Sequence, residues 1–424
     1  MGSRYGISRA KLDQQSRPPG LNLEAWSSKL SNPVMDAITL ADPFELTDTQ
    51  KMLRDTVREF AAEKLAPRAE ELDRTGQFPM QNFKEMAELG LTGIPVPEEY
   101  DGAGADTLSQ ILAVEEISKV CGSTALTLAA HTSLGTMPIV EFGNEAQKRK
   151  YVPPNARGEV IGAYGLTEPQ AGSDSAATMT QATKVAGGWR IQGTKMFMTN
   201  ASVAGTYVIT AVTDREAEKH RRISAFILER SWKGISVAKK EDKLGVRASD
   251  TCIVNFDDVT VPDENLLGDR GQGFTYFMKI LDGGRIGIGA LALGLAEGGY
   301  ERAVKYARER RAFDKPIGMH QAVAFKIADM AVQIQAARHL IYHAARLKDA
   351  GRPYRREASM AKLYASEMAM RVLREAIQVL GGYGYMTEYQ VERAYRDAKL
   401  CEIGEGTSEI QRIVISRDIL GRLQ

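Results

Sequence analysis

The chain has 424 residues, 43% of them apolar and 26% charged, and a formal net charge of +1. This suits a globular chain of two or three domains, and the near-zero charge excludes a global field drawing it to nucleic acid or an anionic membrane. Three scattered cysteines, Cys121, Cys252 and Cys401, form no CxxC pattern, which argues against a disulfide framework. They fit a reducing compartment: cytoplasmic in a bacterium, the mitochondrial matrix in a eukaryotic cell.

Residues 1–44 differ from the rest. Arg4, Arg9, Lys11, Arg17 and Lys29 face few acids, and Pro18-Pro19-Gly20 interrupts them. The segment reads as an N-terminal extension: a flexible arm, a weak transit peptide or partly an expression remnant. A helical region is expected over 45–160. Thr47-Asp48-Thr49-Gln50 can start a helix, further helical stretches run through Phe83–Leu89 and Leu108–Val120, and Pro and Gly clusters mark a loop from Gly93 to Gly104. Over 161–274 short Val/Ile/Thr runs alternate with Gly and Asp. Gly187–Ile191, Tyr207–Val212, Ile223–Leu228 and Thr251–Phe256 read as strands of a barrel- or sandwich-like β domain. From 275 to 424 the pattern is helical again. Val323, Ile327, Met330, Ile334, Ala337, Ile341 and Ala344 form one stripe, ended by Gly351 and Pro353. Met360 to Leu380 carries a second, capped by Gly381-Gly382. Such narrow seams predict a four-helix bundle, so the chain as a whole is expected to be α+β. No apolar run reaches the roughly 18 residues that span a bilayer.

Five segments concentrate chemistry-bearing residues. Tyr164–Asp174 places Gly, Pro and hydroxyls in one loop that can present N–H groups and the Thr167 hydroxyl to a heterocycle or phosphate, or simply form a capped turn. Lys195–Asn200 is a strand ending in Thr-Asn. In Leu281–Ala290, continuing to Ala292, Gly287-x-Gly289-x-x-Ala292 matches a dinucleotide fingerprint, with Glu309 downstream. The preceding Phe274–Leu281 reads as helix, however, where that fingerprint needs a strand, so close helix packing is the better reading. Arg310-Arg311-Ala312-Phe313-Asp314, followed by His320-Gln321, can grip a pyrophosphate or form a solvated charge run. In Glu402–Arg412, Glu405 lies between two glycines just ahead of a helix from Ile410 to Leu420. His339 and His343, spaced i,i+4, lack partner ligands, and no metal site is expected.

In this order and spacing, from about residue 45 to the C-terminus, the five segments resemble the acyl-CoA dehydrogenase family. Leu281–Ile288 and Phe325–Met330 are similar to its short-chain, butyryl-CoA branch. The resemblance implies that fold, with FAD as cofactor, acyl-CoA as substrate, an electron-transferring flavoprotein as acceptor and a homotetramer. It implies that Tyr164, Leu166, Thr167, Gly172 and Ser173 hold the flavin, with Ser173 also at the acyl-CoA, and that Phe197, Met198 and Thr199 line its ring. Asp282, Gly283, Gly284 and Arg285 would contact CoA. Arg310, Gln321, Gln378, Val379, Leu380, Gly381 and Gly382 would reach the FAD of a neighbouring subunit. Thr407, Ser408 and Glu409 would complete the FAD site, Gly406 would touch substrate, and Glu405 would be the catalytic base. Three departures stand out: Phe197 where Trp is usual, Asp314 where Gly is usual, and Gly165 where Cys or Ala is common, the last expected to be silent.

Dehydrogenation at Cα–Cβ of a thioester needs a base for the Cα proton and a hydride acceptor at Cβ. A desolvated pocket can raise a carboxylate's proton affinity toward that task, and donors to the thioester oxygen can stabilise the enolate. Some branches of the family carry the base as Glu at the position of Gly284; here Glu stands only at 405. The glutaryl-CoA branch has an arginine at the position of Ala125, and Thr124–Ala130 contains no basic residue. A straight short acyl chain is therefore expected first and a short branched one second. An acyl-CoA oxidase, in which an extra C-terminal domain is expected, and a non-catalytic acyl-CoA- or flavin-binding protein are the alternatives.

Overall fold

The computed structural model describes residues 45–421; the reading of residues 1–44 as an extension lies outside them. Leu46–Gln424 form one unit. Its first helix, α1 (Asp48–Phe60), opens on a reciprocal cap: the Thr47 hydroxyl accepts from the Gln50 N–H, and the Gln50 side chain accepts from the Thr47 N–H. Such a cap contributes about 1 kcal/mol. There follow α2 (Ala66–Thr75), α3 (Met80–Glu88), α4 (Thr107–Ser118), α5 (Gly122–Ala129), α6 (Met137–Phe142) and α7 (Glu145–Ala156). A π-helical segment, Ala130–Thr136, joins α5 to α6. Within it the buried His131 accepts the Gly162 N–H at Nδ1 (3.0 Å), so its proton sits on Nε2, 3.0 Å from the Asn155 carbonyl oxygen. Burial pushes this imidazole down to about 4, which keeps it neutral.

The β region is an eight-stranded sheet. Its strands are β1 (Gly162–Gly165), β2 (Gln181–Val185), β3 (Gly188–Thr199), β4 (Thr206–Val212), β5 (Ile223–Glu229), β6 (Ile235–Lys240), β7 (Thr251–Pro262) and β8 (Leu266–Leu267). They run in the order β6-β7-β3-β2-β4-β5-β8, with β1 parallel to β4. The Val/Ile runs of β4 and β5 are buried on both faces, which is why they show no polar alternation. The sheet is tied to the helices before it by Asn200, whose buried side chain donates to the Thr127 carbonyl of α5 at 3.1 Å.

The remaining helices are α8 (Gly273–Glu309), α9 (Gln321–Asp349), α10 (Arg355–Leu380), α11 (Val391–Ala398) and α12 (Ser408–Leu420). The helices α8, α9 and α10 pack on one another, and α12 packs on α10. The apolar stripe read on α9 is buried from Met330 to Ala344, while Val323 and Ile327 are only half-buried. In the Leu281–Ala292 run the close packing expected of the small residues holds at Gly289, where a Cβ would lie 3.2 Å from Ile341 Cγ1 of α9, but not at Gly287, where a Cβ would meet nothing within 4 Å. A Cβ at Gly294 would lie 2.0 Å from Ser118 Oγ and one at Gly298 2.2 Å from the Lys119 carbonyl, so only glycine lets α8 cross the end of α4. Glu115 of α4 accepts from Arg338 and Tyr342 of α9, so the helices on either side of the sheet in sequence share one buried polar network. Among the described residues no helix is long and apolar enough to cross a membrane, and no cluster of His, Cys, Asp and Glu could hold a metal.

Candidate active site

The loop before α12 places Glu405 against α8. Glu405 has φ 54° and Gly406 φ 97°, two consecutive left-handed residues. For a non-glycine residue that conformation costs about 1–2 kcal/mol, and it persists only where the surroundings enforce it. Gly406 is glycine for its conformation. Gly404 is not under the same demand, since a Cβ there would meet nothing closer than 3.6 Å. The turn directs the Glu405 carboxylate at Gly284, where a Cβ would lie 2.0 Å from Oε2. Gly284 and Glu405 thus face each other, and a side chain at one position excludes the carboxylate of the other. Oε2 is buried and has no hydrogen-bond partner. Burial pushes this carboxyl up to about 7, with the charges of Lys362 and Arg285 holding it from going higher.

Arg285 is itself buried, donates to Asp282 at 2.6 Å, and leaves its Nε unpartnered. Tyr164, at the end of β1, stacks on Phe277 with ring centroids 4.1 Å apart and donates to the Phe277 carbonyl at 3.2 Å. Burial, then the nearness of Glu405, raises its phenol, so Tyr164 faces the same space.

The two flavin-type segments converge at the ends of β1 and β3. A Cβ on Gly165 would meet Ile209 at 2.9 Å and the Met198 sulfur at 3.0 Å, so β1 lies directly against Met198. The departure at Gly165, expected to be silent, therefore sits in a crowded contact, and an added methyl must displace a neighbour. Between Lys195 and Met198 the register against β7 shifts, a bulge that puts Phe197 at φ 54° and turns its ring outward, 59% exposed. The loop after β1 is fastened to β3 in two places: the Met196 N–H donates to the Thr167 carbonyl at 2.8 Å, and Lys195 Nζ lies 2.7 Å from Glu168 Oε1. This ion pair is fully buried and completed by the Leu166 carbonyl, the Thr210 hydroxyl and the N–H groups of Met179 and Thr180. Burial alone would raise the Glu168 carboxyl; Lys195 and the backbone donors bring it below its ordinary value, so it is ionised. Sequence reasoning missed this pair because its members lie 27 residues apart, on a loop and a strand with no local spacing that signals the contact.

These residues fit a flavin. The hydroxyls of Thr167 and Thr199 make no side-chain hydrogen bond among the described residues and are half-buried, and Gly172 and Ser173 are exposed beyond them. At the start of α12, Thr407 caps the Ile410 N–H, while the buried Ser408 hydroxyl has no partner and Glu409 is exposed. An unpartnered buried hydroxyl at a helix N-terminus is a ready donor to an anionic group.

Arg310 and Val379–Gly382 meet elsewhere. With Tyr306, Ile317, Tyr383 and Met386 they line a groove of about 510 Å³, and the Arg310 guanidinium lies 5.9 Å from the Tyr383 ring. Gln321 begins α9 and Gln378 lies in the last turn of α10, both exposed. Arg310 lies 26 residues along α8 from Gly284, about 39 Å at 1.5 Å per residue, farther than one dinucleotide spans. A separate small cavity of about 20 Å³ adjoins Gly284 between α4, the π segment and α8, lined by Ile111, Ala129, Met137, Ile280 and Gly287. Glu141, Lys279 and Lys348 line it as well. Basic residues therefore reach this cavity from α8 and α9, which inspection of Thr124–Ala130 alone does not reveal.

Profiles of the acyl-CoA dehydrogenase N-terminal, middle and C-terminal domains match residues 47–159, 163–259 and 271–420. The chain belongs to the acyl-CoA dehydrogenase family. It is 52% identical over 376 residues to the short-chain specific acyl-CoA dehydrogenase of Clostridium acetobutylicum, covering 89% of this chain and 99% of that one. Its fold is similar to the butyryl-CoA dehydrogenase of Megasphaera elsdenii, with TM-score 0.87, 45% identity and coverage of 89% and 99% of the two chains. It is similar as well to a chain in the structure of the electron transferring flavoprotein of Acidaminococcus fermentans, studied for flavin-based electron bifurcation. There the TM-score is 0.88, with 48% identity and 89% and 100% covered.

Proposed function

We propose that this enzyme removes the elements of hydrogen from Cα and Cβ of a short-chain acyl-CoA, giving the trans-2-enoyl thioester, with Glu405 as the base. The observation that carries the reading is the Glu405 carboxyl, whose Oε2 is buried and unpartnered against Gly284 and which is raised to about 7. A carboxylate stripped of partners gains the proton affinity that abstraction from a weak carbon acid requires. The left-handed turn also leaves the Glu405 N–H as a candidate donor to the thioester oxygen, where enolate charge develops. The enzyme is FAD-dependent, and bound FAD supplies the hydride acceptor. Thr167, Thr199 and Ser408 would hold the cofactor, Met198 and the outward-turned Phe197 would flank it, and Asp282 and Arg285 would meet the CoA chain. An electron-transferring flavoprotein is the acceptor that reoxidises the enzyme.

The preference for a short acyl chain is supported by the C. acetobutylicum and M. elsdenii relatives. The distant Arg310 groove supports a homotetramer in which Arg310, Gln321 and Gln378–Gly382 reach a neighbour's FAD. The exposed Phe313, Met319, Phe325 and Val332 nearby supply the apolar surface such a contact would bury. Three free, buried cysteines suit a reducing compartment such as the bacterial cytoplasm.

The test is anaerobic mixing of the FAD-loaded enzyme with butyryl-CoA. Bleaching of the flavin absorbance is expected in the wild type and essentially none in Glu405→Gln with FAD still bound. Wild-type bleaching in Glu405→Gln would remove Glu405 as the base. Rapid peroxide formation without an electron-transferring protein would make the enzyme an oxidase.

A further inference from the structure

Lys362, in the first half of α10, is fully buried, and its ammonium does not bond to the carboxylate beside it. Nζ donates instead to the Gly406 carbonyl at 2.6 Å. Gln411, also fully buried, donates from Nε2 to that same carbonyl at 2.9 Å and to the Glu405 carbonyl at 3.2 Å. The two side chains, from α10 and α12, grip both carbonyls of the left-handed turn while leaving Oε2 of Glu405 without a partner. An ammonium buried next to a carboxylate ordinarily pairs with it, as Lys195 does with Glu168 at 2.7 Å. Here a backbone oxygen accepts in its place.

We propose that Lys362 is a positioning residue for Glu405: with Gln411 it clamps the Glu405–Gly406 turn so that the carboxylate faces Gly284, and its charge favours the ionised base without occupying the base's lone pairs. The proposal rests on Glu405 being the base. The groups facing Glu405 are Lys362 from α10, Arg285 from α8 and Tyr164 from β1. Those acting on Lys362 or acted on by it are Cys401, Glu405, Arg285, Glu402 and Glu409. Arg285 already spends one donor on Asp282, which leaves Lys362 as the cation committed to this turn. A hydrogen bond to Oε2 would hold the carboxylate ionised but take the lone pair needed for the proton; a hydrogen bond to the neighbouring carbonyl fixes geometry and supplies charge at once.

The experiment compares FAD-loaded wild type with Lys362→Met, Lys362→Gln and Gln411→Met, measuring kcat/KM against pH and, separately, the protonated-carboxyl infrared band that disappears in Glu405→Gln. Removing the cation raises the proton affinity of Glu405, so the acid limb of Lys362→Met moves to higher pH by about one unit, a tenfold loss at fixed acidic pH. The infrared titration moves with it, and the alkaline plateau falls. Lys362→Gln keeps a polar group in the slot; it shifts the limb with less loss of plateau and decides the matter where Lys362→Met does not fold. Gln411→Met lowers the plateau and leaves the limb in place. If the folded, flavin-loaded Lys362 variants titrate as wild type does, in both activity and infrared band, the proposal is overturned. Failure of the base reading is separate: it shows as flavin bleaching by Glu405→Gln, whatever the lysine variants do.

Discussion

Two buried lysines sit near carboxylates in this molecule, and they are used in opposite ways. Lys195 contacts Glu168 directly, and the pair is completed by a carbonyl, a hydroxyl, backbone N–H groups and the Gln170 side-chain amide. Lys362 stands beside Glu405 but bonds to a backbone carbonyl, and the carboxylate is left incomplete. The first arrangement lowers its carboxyl below the ordinary value and the second leaves its carboxyl raised to about 7. A satisfied pair is a strut, fixing the Tyr164–Ser173 loop on β3. An unsatisfied one stores proton affinity where a reaction can draw on it.

Glu405→Gln breaks that contrast most severely. Turnover is expected to fall by about 10³-fold or more, within the range for loss of a general base, and stopped-flow bleaching checks it. Because the base must be ionised in the free enzyme, wild-type kcat/KM should rise with pH through about 7. Stability carries the opposite sign. A carboxyl that titrates at about 7 when folded and near its ordinary value when unfolded stabilises the fold at low pH, and that contribution is lost as pH rises through about 7. Glu405→Gln should therefore be the more stable protein above pH ~7, by at most about 3 kcal/mol, as urea unfolding at two pH values would register.

Lys195→Met tests the other half. It strands Glu168 as a buried charge, and about 3–5 kcal/mol of stability should be lost. Pairing it with Glu168→Gln should restore part of that loss, since the cost comes from the unpaired partner; no recovery in the double variant would mean that the pair is not the strut described here. Gly284→Ala acts on geometry alone. Its Cβ would lie 2.0 Å from Glu405 Oε2, so the carboxylate must move. A loss in kcat of about 10²-fold is expected for a displacement near 1 Å, with little change in flavin content.

Much of this was legible in the sequence wherever a periodic or local signal existed. The α9 stripe, the Thr47 cap and the strands β4, β5 and β7 follow from side-chain spacing, and Glu405 emerged from its place among five ordered segments. Long-range or conformational features had no such signal. Strand β1 is only Gly-Ala-Tyr-Gly, too short to alternate, and is held by pairing with β4 and by His131. The clamp from Lys362 and Gln411 joins two helices, and a lysine in a helix looks like a surface charge until the packing buries it. Positive φ at Glu405 was equally invisible, because flanking glycines suggest freedom near a residue without saying which residue takes the unusual conformation.

That last point gives the smallest and most discriminating prediction. Phe313 and Asp314 have φ 52° and 63° and join β9 (Arg311–Ala312) to β10 (Lys315–Pro316) in a two-residue hairpin turn. Turns of this kind favour glycine or asparagine because both central residues are left-handed. The departure at Asp314 has therefore kept the turn and accepted its strain, as Glu405 has. The two differ in what enforces them. Glu405 is gripped by Lys362 and Gln411 from two buried positions through the turn's carbonyls, whereas the Asp314 carbonyl accepts from the exposed Arg311 of its own hairpin and Phe313 is 89% exposed in the single chain. Strain that positions a base should be costly to relieve, and strain in an exposed hairpin should not be. Asp314→Gly is accordingly expected to raise stability by about 1 kcal/mol, read as a small increase in Tm, while Glu405→Gly in the same assay also loses turnover. A fall in Tm for Asp314→Gly would show that the aspartate is held by contacts beyond the turn, and that positive φ alone does not separate functional strain from the incidental kind.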